Sequence, residues 1–167
     1  KGAVSVRLGE VNLGDLVRQI DTETRELQEG TGLNFVWDVP QDLPLLSTDP
    51  LKVRVVLKNL IGNAVKFTKQ GTVSIRARTC AGGVELCVAD TGIGMSPEVL
   101  SIIFEAFRQG DSSFTRQHEG VGLGLYIVRR MLDLLGGTIR VESLPDQGST
   151  FYVWLPAFPA EQINTAA

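Results

Sequence analysis

Strand-length segments come in adjacent pairs along this chain, and that pairing limits the fold more than any other feature. Val73 to Cys80 and Val84 to Asp90 are joined at Ala81-Gly82-Gly83, a hairpin signal. Thr138 to Ser143 and Thr150 to Leu155 form a second pair near the end of the chain. Neighbouring strands linked by short turns run antiparallel, so a doubly wound parallel sheet does not fit. Helical patterns stand between the pairs. Leu13, Leu16, Val17, Ile20 and Leu27 make a helical stripe over 13–29, with Asn12 as N-cap and Gly30 as the stop. Asn34 to Val39 reads as a strand with Phe35 and Trp37 on one face, and the proline-bearing stretch from Pro40 to Pro50 reads mostly as loop. Asp49-Pro50 then opens a helix, a capping carboxylate followed by proline in the first turn, which runs to about Phe67 before Gly71 closes the turn. Ser96-Pro97 starts a short helix reaching Ile103, residues 108–121 read as a long mobile loop, and Gly122 to Leu135 is a helix stopped by Gly136-Gly137. The order fits a layered α/β sandwich, with an exposed sheet face not expected.

Bulk properties narrow the function. A chain of 167 residues with 43% hydrophobic residues makes one domain with a full core. A net charge of −3 gives no basic face for nucleic acid, and no apolar run approaches the ~20 residues of a membrane span. The chain opens with Lys1-Gly2-Ala3, without initiator Met or signal peptide, and reads as a fragment of something longer. Cys80 and Cys87 match no metal spacing and are expected as buried thiols on neighbouring strands in a reducing compartment, not as a disulfide.

Three ordered motifs carry chemistry. On the helix from Pro50, Asn59 and Asn63 are four apart and share a face, and Lys66 follows three residues later. Neutral oxygen ligands beside a cation suit a magnesium ion that keeps waters and leans on substrate phosphates. Asp90 ends a strand before Thr91-Gly92-Ile93-Gly94; a buried carboxylate there can accept from an exocyclic amine such as adenine's, although the same residues also fit a strand-end turn. Gly120-Val121-Gly122-Leu123-Gly124-Leu125 leads into a helix whose N-terminal amides favour phosphate. It is neither the dinucleotide fingerprint, since Leu125 takes the last glycine position, nor the Walker loop, which ends Gly-Lys-Ser/Thr. Phe104 and Phe107, three apart, fit either core packing or an exposed aromatic that docks on a partner helix.

Together these residues resemble the catalytic and ATP-binding domain of sensor histidine kinases, in the superfamily shared with gyrase, heat-shock chaperone and mismatch-repair ATPases. The resemblance runs from about Val11 to Pro156. Asn59 to Thr68 is similar to the family's N box, Asp90 to Gly94 to its G1 box, Phe104 to Phe107 to its F box and Gly120 to Leu125 to its G2 box. It implies the Bergerat fold, a two-layer α/β sandwich of a mixed, mainly antiparallel sheet on three helices with an ATP lid. It implies ATP and Mg2+ as cofactors. By resemblance Asn63 holds the metal with help from Asn59, Lys66 approaches the phosphates, and Asp90 reads the adenine amine in a pocket shaped by Gly92 and Gly94. Thr150 supports the same end of the base. Gly120, Gly122, Leu123 and Gly124 meet the phosphates, and Arg116 in the lid meets the terminal one. Glu119 and Val121 depart from the family pattern, which touches the lid and some phosphate contacts and not the adenine pocket.

The resemblance also implies partners and boundaries. Residues 1–10 lead in from a dimerisation and phosphoacceptor domain, 11–156 form the catalytic domain and 157–167 a linker or tail. His118, the one histidine, lies in the lid and is not an acceptor. The expected partner is therefore a histidine-bearing helical dimerisation domain, and indirectly a response regulator, with a monomeric, cytoplasmic domain that contacts neither nucleic acid nor membrane. Asn59 stands where the hydrolases carry a glutamate, and an amide is no general base for water. The alternatives are a degenerate nucleotide-binding regulatory module, an ATPase of this fold, a serine kinase that inhibits a sigma factor, and a plain structural domain.

Overall fold

The computed structural model describes residues 5–104 and 121–159. Its elements in chain order are β1 (Gly9–Val11), α1 (Leu13–Thr31), β2 (Asn34–Asp38), β3 (Leu46–Thr48), α2 (Pro50–Lys66), β4 (Thr72–Cys80), β5 (Gly83–Asp90), α3 (Pro97–Leu100), α4 (Val121–Leu135), β6 (Thr138–Ser143) and β7 (Ser149–Pro156). The main sheet has the order β2-β4-β5-β7-β6. Only β2 and β4 pair in parallel; the other neighbours are antiparallel. This is the two-layer sandwich with a mixed, mainly antiparallel sheet, the layer opposite being α1, α2 and α4. The lid residues, with Phe107, Arg116, His118 and Gly120, lie outside the described residues.

Period-two alternation builds the core. Val73, Ile75 and Ala77 of β4, Val84, Leu86 and Val88 of β5, and Phe151, Val153 and Leu155 of β7 are buried on the helix side. Leu57, Leu60, Ile61 and Ala64 of α2 and Leu125, Val128 and Leu132 of α4 meet them. The other sheet face, expected to be covered, is not. It carries Arg78 paired with its cross-strand partner Glu85, Nη2 to Oε1 2.9 Å, and Arg140 stacked 3.6 Å over the ring of its partner Tyr152. Charged and amphipathic cross-strand pairs let that face meet water without a second helix layer.

Local signals set the ends. Ala81 and Gly82, with φ of 46° and 76°, make the two-residue turn between β4 and β5. Helix α1 runs past Gly30 and ends at Gly32, whose left-handed φ of 70° closes it. Helix α3 is shorter than expected, and β1 and β3 were not expected at all. They pair with each other, and Ser47 N donates to Ala157 O at 2.8 Å while Ala157 N donates to Gly82 O at 3.0 Å. The fold therefore takes in residues on both sides of the expected 11–156 span. Cys80 and Cys87 are both free thiols and only half-buried.

Asp49 anchors the entry into α2. It is 2% exposed and accepts from the backbone of Leu51 at 3.1 Å and Arg7 at 2.9 Å, and from Lys52 Nζ at 2.8 Å. Lys52 Nζ also donates to Ser5 O at 2.8 Å, so one carboxylate ties the leading residues to the helix start. Burial alone pushes the pKa of the carboxyl up, but Lys52 and the backbone donors outweigh this and hold it below its ordinary range. Asp49→Ala is expected to cost about 3–5 kcal/mol in urea unfolding, because it leaves the largely buried Lys52 ammonium without its counter-charge, with only Ser5 O as acceptor, and removes the helix cap. A lowered folded value means the contribution is present above the unfolded value of about 3.9 and lost as pH falls through the folded one. The gap between wild type and variant should narrow only below about pH 4; a gap constant down to pH 3 would show that the charge is not what stabilises.

Candidate functional site

A cavity opens between the end of α2, the turn after β5, and the first residues of β7. Its walls are apolar, from Phe67, Ile93, Met95, Val99, Leu125 and Phe151, and its polar groups are Asn63, Asp90, Ser96 and Ser149. The volume is about 210 Å³, below the roughly 300–1,000 Å³ of sites that enclose whole drug-sized ligands. It has room for a flat ring system, with sugar and phosphates left to lie outside. Phe104 supports one wall edge-on, its ring centroid 6.4 Å from that of Phe151. The core-packing reading of that aromatic therefore holds for Phe104.

Asp90 reaches the cavity through sheet register. It shares parity with Val84, Leu86 and Val88, so its side chain falls on the helix side. Gly92 N donates to its Oδ1 at 2.9 Å. Burial raises the carboxyl above its ordinary range, only partly offset by the backbone N–H groups of Gly92 and Ser149 and by the Thr68 hydroxyl nearby. An acceptor-only group held among apolar side chains with few donors is suited to a ligand that brings its own donor.

The cross-strand partner of Asp90 is Ser149, and that of Ala89 is Thr150. Ser149 lines the cavity, whereas Thr150 alternates to the outer face of the sheet. The expectation for Thr150 is thus corrected by one residue: strand parity gives the place beside Asp90 to Ser149. The alternation of Phe151, Val153 and Leu155 held that signal in the sequence. The apolar walls Phe67, Met95, Val99 and Leu125 had no comparable signal, since they come from four separate elements and turns.

The glycines around Asp90 owe their identity to backbone contact. A Cβ on Gly92 would lie 2.1 Å from the carbonyl oxygen of Phe67, and one on Gly94, at φ 65°, would lie 1.9 Å from that of Leu144. Gly94 lines the cavity; Gly92 does not and instead seals the turn behind it.

The asparagines converge on the start of α4. A Cβ on Gly124 would sit 3.2 Å from Asn59 Oδ1 and 3.8 and 3.9 Å from Asn63 Nδ2 and Oδ1, so both side-chain amides approach one point beside the first turn of that helix. Asn59 Nδ2 donates to Val55 O at 2.7 Å, which turns its oxygen toward α4. Asn63 Nδ2 is buried without a hydrogen-bond partner. Two convergent side-chain amides, each with an oxygen to offer, next to helix amides that lack intrahelical acceptors, suit a hard cation that is shared with phosphate oxygens. Gly122, Leu123 and Gly124 contribute that first turn. Lys66 is not in the cavity: it is exposed at the end of α2, its Nζ 5.7 Å above the Phe67 ring. Among the described residues no helix is long and apolar enough to cross a membrane.

Residues 48–159 match the family described as histidine kinase-, DNA gyrase B- and HSP90-like ATPase. The chain is 41% identical over 150 residues to the sensor protein GacS of Pseudomonas syringae pv. syringae, covering 86% of this chain and 16% of that protein. It is 39% identical to the signal transduction histidine-protein kinase BarA of Escherichia coli K12, covering 72% and 14%. Among solved structures it resembles full-length ShkA in complex with AMPPNP, at 36% identity and TM-score 0.79 over 93% of this chain and 32% of that one. It also resembles the nucleotide-free catalytic domain of the histidine kinase ThkA, at 26% identity and TM-score 0.77 over 92% and 97%.

The upward shift of the Asp90 carboxyl has a testable consequence. A group whose folded value lies above its unfolded one favours the fold at pH below the unfolded value, and that benefit is lost as pH rises through the folded value. Asp90→Asn, which keeps an acceptor for Gly92 N, is therefore expected to raise the melting temperature at pH 7 by a few °C at most. The gain should shrink below about pH 4, where Asp90 is protonated in both states. A variant less stable than wild type at pH 7 would contradict this.

Proposed function

Since the chain belongs to the histidine kinase-, DNA gyrase B- and HSP90-like ATPase family, we propose that it is the ATP-binding catalytic domain of a sensor histidine kinase, transferring the γ-phosphate of ATP to a histidine on a separate helical dimerisation domain. The observation that carries this reading is the half-buried Asp90 carboxylate in a ring-sized apolar cavity that also holds Asn63. The base inserts between Phe67, Ile93 and Met95 with its 6-amine toward Asp90, and Ser149 lies beside that carboxylate. The phosphates lie toward the first turn of α4, where the N–H groups of Gly122, Leu123 and Gly124 are donors. Lys66, Gly120 and Arg116 are assigned to the phosphates as well, the last two from the lid.

Asn59 and Asn63 would hold a magnesium ion through their amide oxygens, and the ion, when bound, neutralises phosphate charge. The chain itself supplies position and electrostatics, as phosphoryl transfer requires. Asn59 cannot deprotonate water, so ATP persists until an imidazole is presented; this weighs against a hydrolase. The chain spans 16% of the GacS sequence it matches, and the histidine-bearing domain and a response regulator are the proposed partners, in the cytoplasm where ATP is available. A crystal structure of ThkA in complex with the response regulator TrrA is among the similar folds.

The test mixes this chain, a purified histidine-bearing helical domain and radiolabelled ATP. Acid-labile, base-stable label on the partner is expected, with slow ATP turnover in its absence. Fast partner-independent hydrolysis with no transfer would favour the ATPase alternative. Asn63→Ala should abolish magnesium-dependent ATP binding and transfer while adenosine affinity by calorimetry stays within about twofold. Wild-type transfer by this variant would move the ion elsewhere.

A further inference from the structure

Thr68 follows directly on Phe67 at the end of α2 and is 4% exposed. Its Oγ1 is buried and completes no hydrogen bond. Valine has the same shape and would fill this place without carrying a polar atom into it. A buried hydroxyl left unpaired is costly, and its presence calls for a role.

The surroundings point to one. A Cβ on Gly92 would come within 2.7 Å of Thr68 Oγ1, and Gly92 N holds Asp90 Oδ1. Thr68, Gly92 and Asp90 therefore form one knot behind the cavity, and the hydroxyl is near enough to favour the charged form of the carboxyl. Asp90 is the one titratable side chain in the described lining; Asn63, Ser96 and Ser149 are its other polar groups. Lys66, at the end of α2, is exposed over the Phe67 ring.

We propose that Thr68 is a positioning residue for base recognition: its hydroxyl donates to the Asp90 carboxylate and fixes the plane in which that carboxylate meets the exocyclic amine of adenine. Gly92 N grips one oxygen, and a small shift of the Thr68 side chain, with its hydroxyl hydrogen free to turn, secures the group against swinging. Thr68 does not line the cavity and touches no base; it acts through Asp90. This rests on the reading of Asp90 as the adenine acceptor.

The test uses ATP and ITP, which differ in the 6-amine, each with magnesium, against wild type, Thr68→Val and Thr68→Ser. Affinities come from calorimetry, with competition for the weaker nucleotide. Wild type should prefer ATP. Thr68→Val should lose about fivefold to tenfold for ATP, the upper part of the net range of one ordinary hydrogen bond, with ITP unchanged. Thr68→Ser should retain the wild-type preference. Equal loss for both nucleotides, or serine behaving like valine, would overturn the proposal. If Thr68→Val does not fold, Thr68→Ala is judged by the same ATP-to-ITP ratio. A wild-type protein that binds both nucleotides equally would overturn the underlying reading of Asp90, an outcome distinct from failure of Thr68 alone.

Discussion

The site depends on one close approach of backbone to backbone. Gly92 lies against the carbonyl of Phe67 at a distance that excludes any side chain, and Ile93 N donates to that same oxygen at 3.1 Å. This contact docks the end of α2 onto the turn after β5. Phe67 N in turn donates to Asn63 O at 3.0 Å, so the asparagine, the aromatic wall and the carboxylate two residues before Gly92 are held in fixed relation. Gly94 repeats the device against Leu144, where Asp146 N donates to Ile93 O at 2.7 Å and brings the β6–β7 connection to the rim. Elements distant in sequence become one cavity because two glycines let main chains touch.

Two aspartates show how surroundings divide structural from recognition roles. Asp49 is more deeply buried, yet several backbone N–H groups and Lys52 surround it, and its charged form is favoured. Asp90 has fewer donors and apolar neighbours, and its charged form is disfavoured. The first carboxylate is complete within the fold and anchors a helix. The second is left short of donors at the place where a ligand can supply one. Perturbed carboxylates in clefts are where function concentrates, for this reason.

Sequence made the large features legible because periodicity and capping are local. The hairpin of β4 and β5, the cap at Asp49-Pro50 and the apolar stripe of α2 all follow from residues within one turn or one strand. The short β1 and β3 were hidden because each has three residues and gains its partner only across the fold. Gly30 looked like a helix stop, but the chain continued to Gly32, where the left-handed residue sits. At the site, Asn59, Asn63 and Asp90 were visible as motif residues. The one-residue shift from Thr150 to Ser149 came from reading a motif without counting strand parity back from Phe151. The burial of Thr68 and the convergence of the asparagines on Gly124 needed the packing of α2 against β5 and α4, which no local pattern encodes.

On the proposed reading, the cavity beside Asp90 receives the adenine of ATP, with phosphates running past Asn63 to the first turn of α4. Amide NMR of the chain titrated with ADP and magnesium distinguishes this placement from any other. The largest shifts are expected at the backbone amides of Gly92, Gly94 and Ser149 and at the Asn63 side-chain amide, with Cys87 and Arg140 on the outer sheet face unmoved. Shifts centred on that outer face, or a saturating nucleotide that leaves Gly92 and Ser149 unchanged, would contradict it.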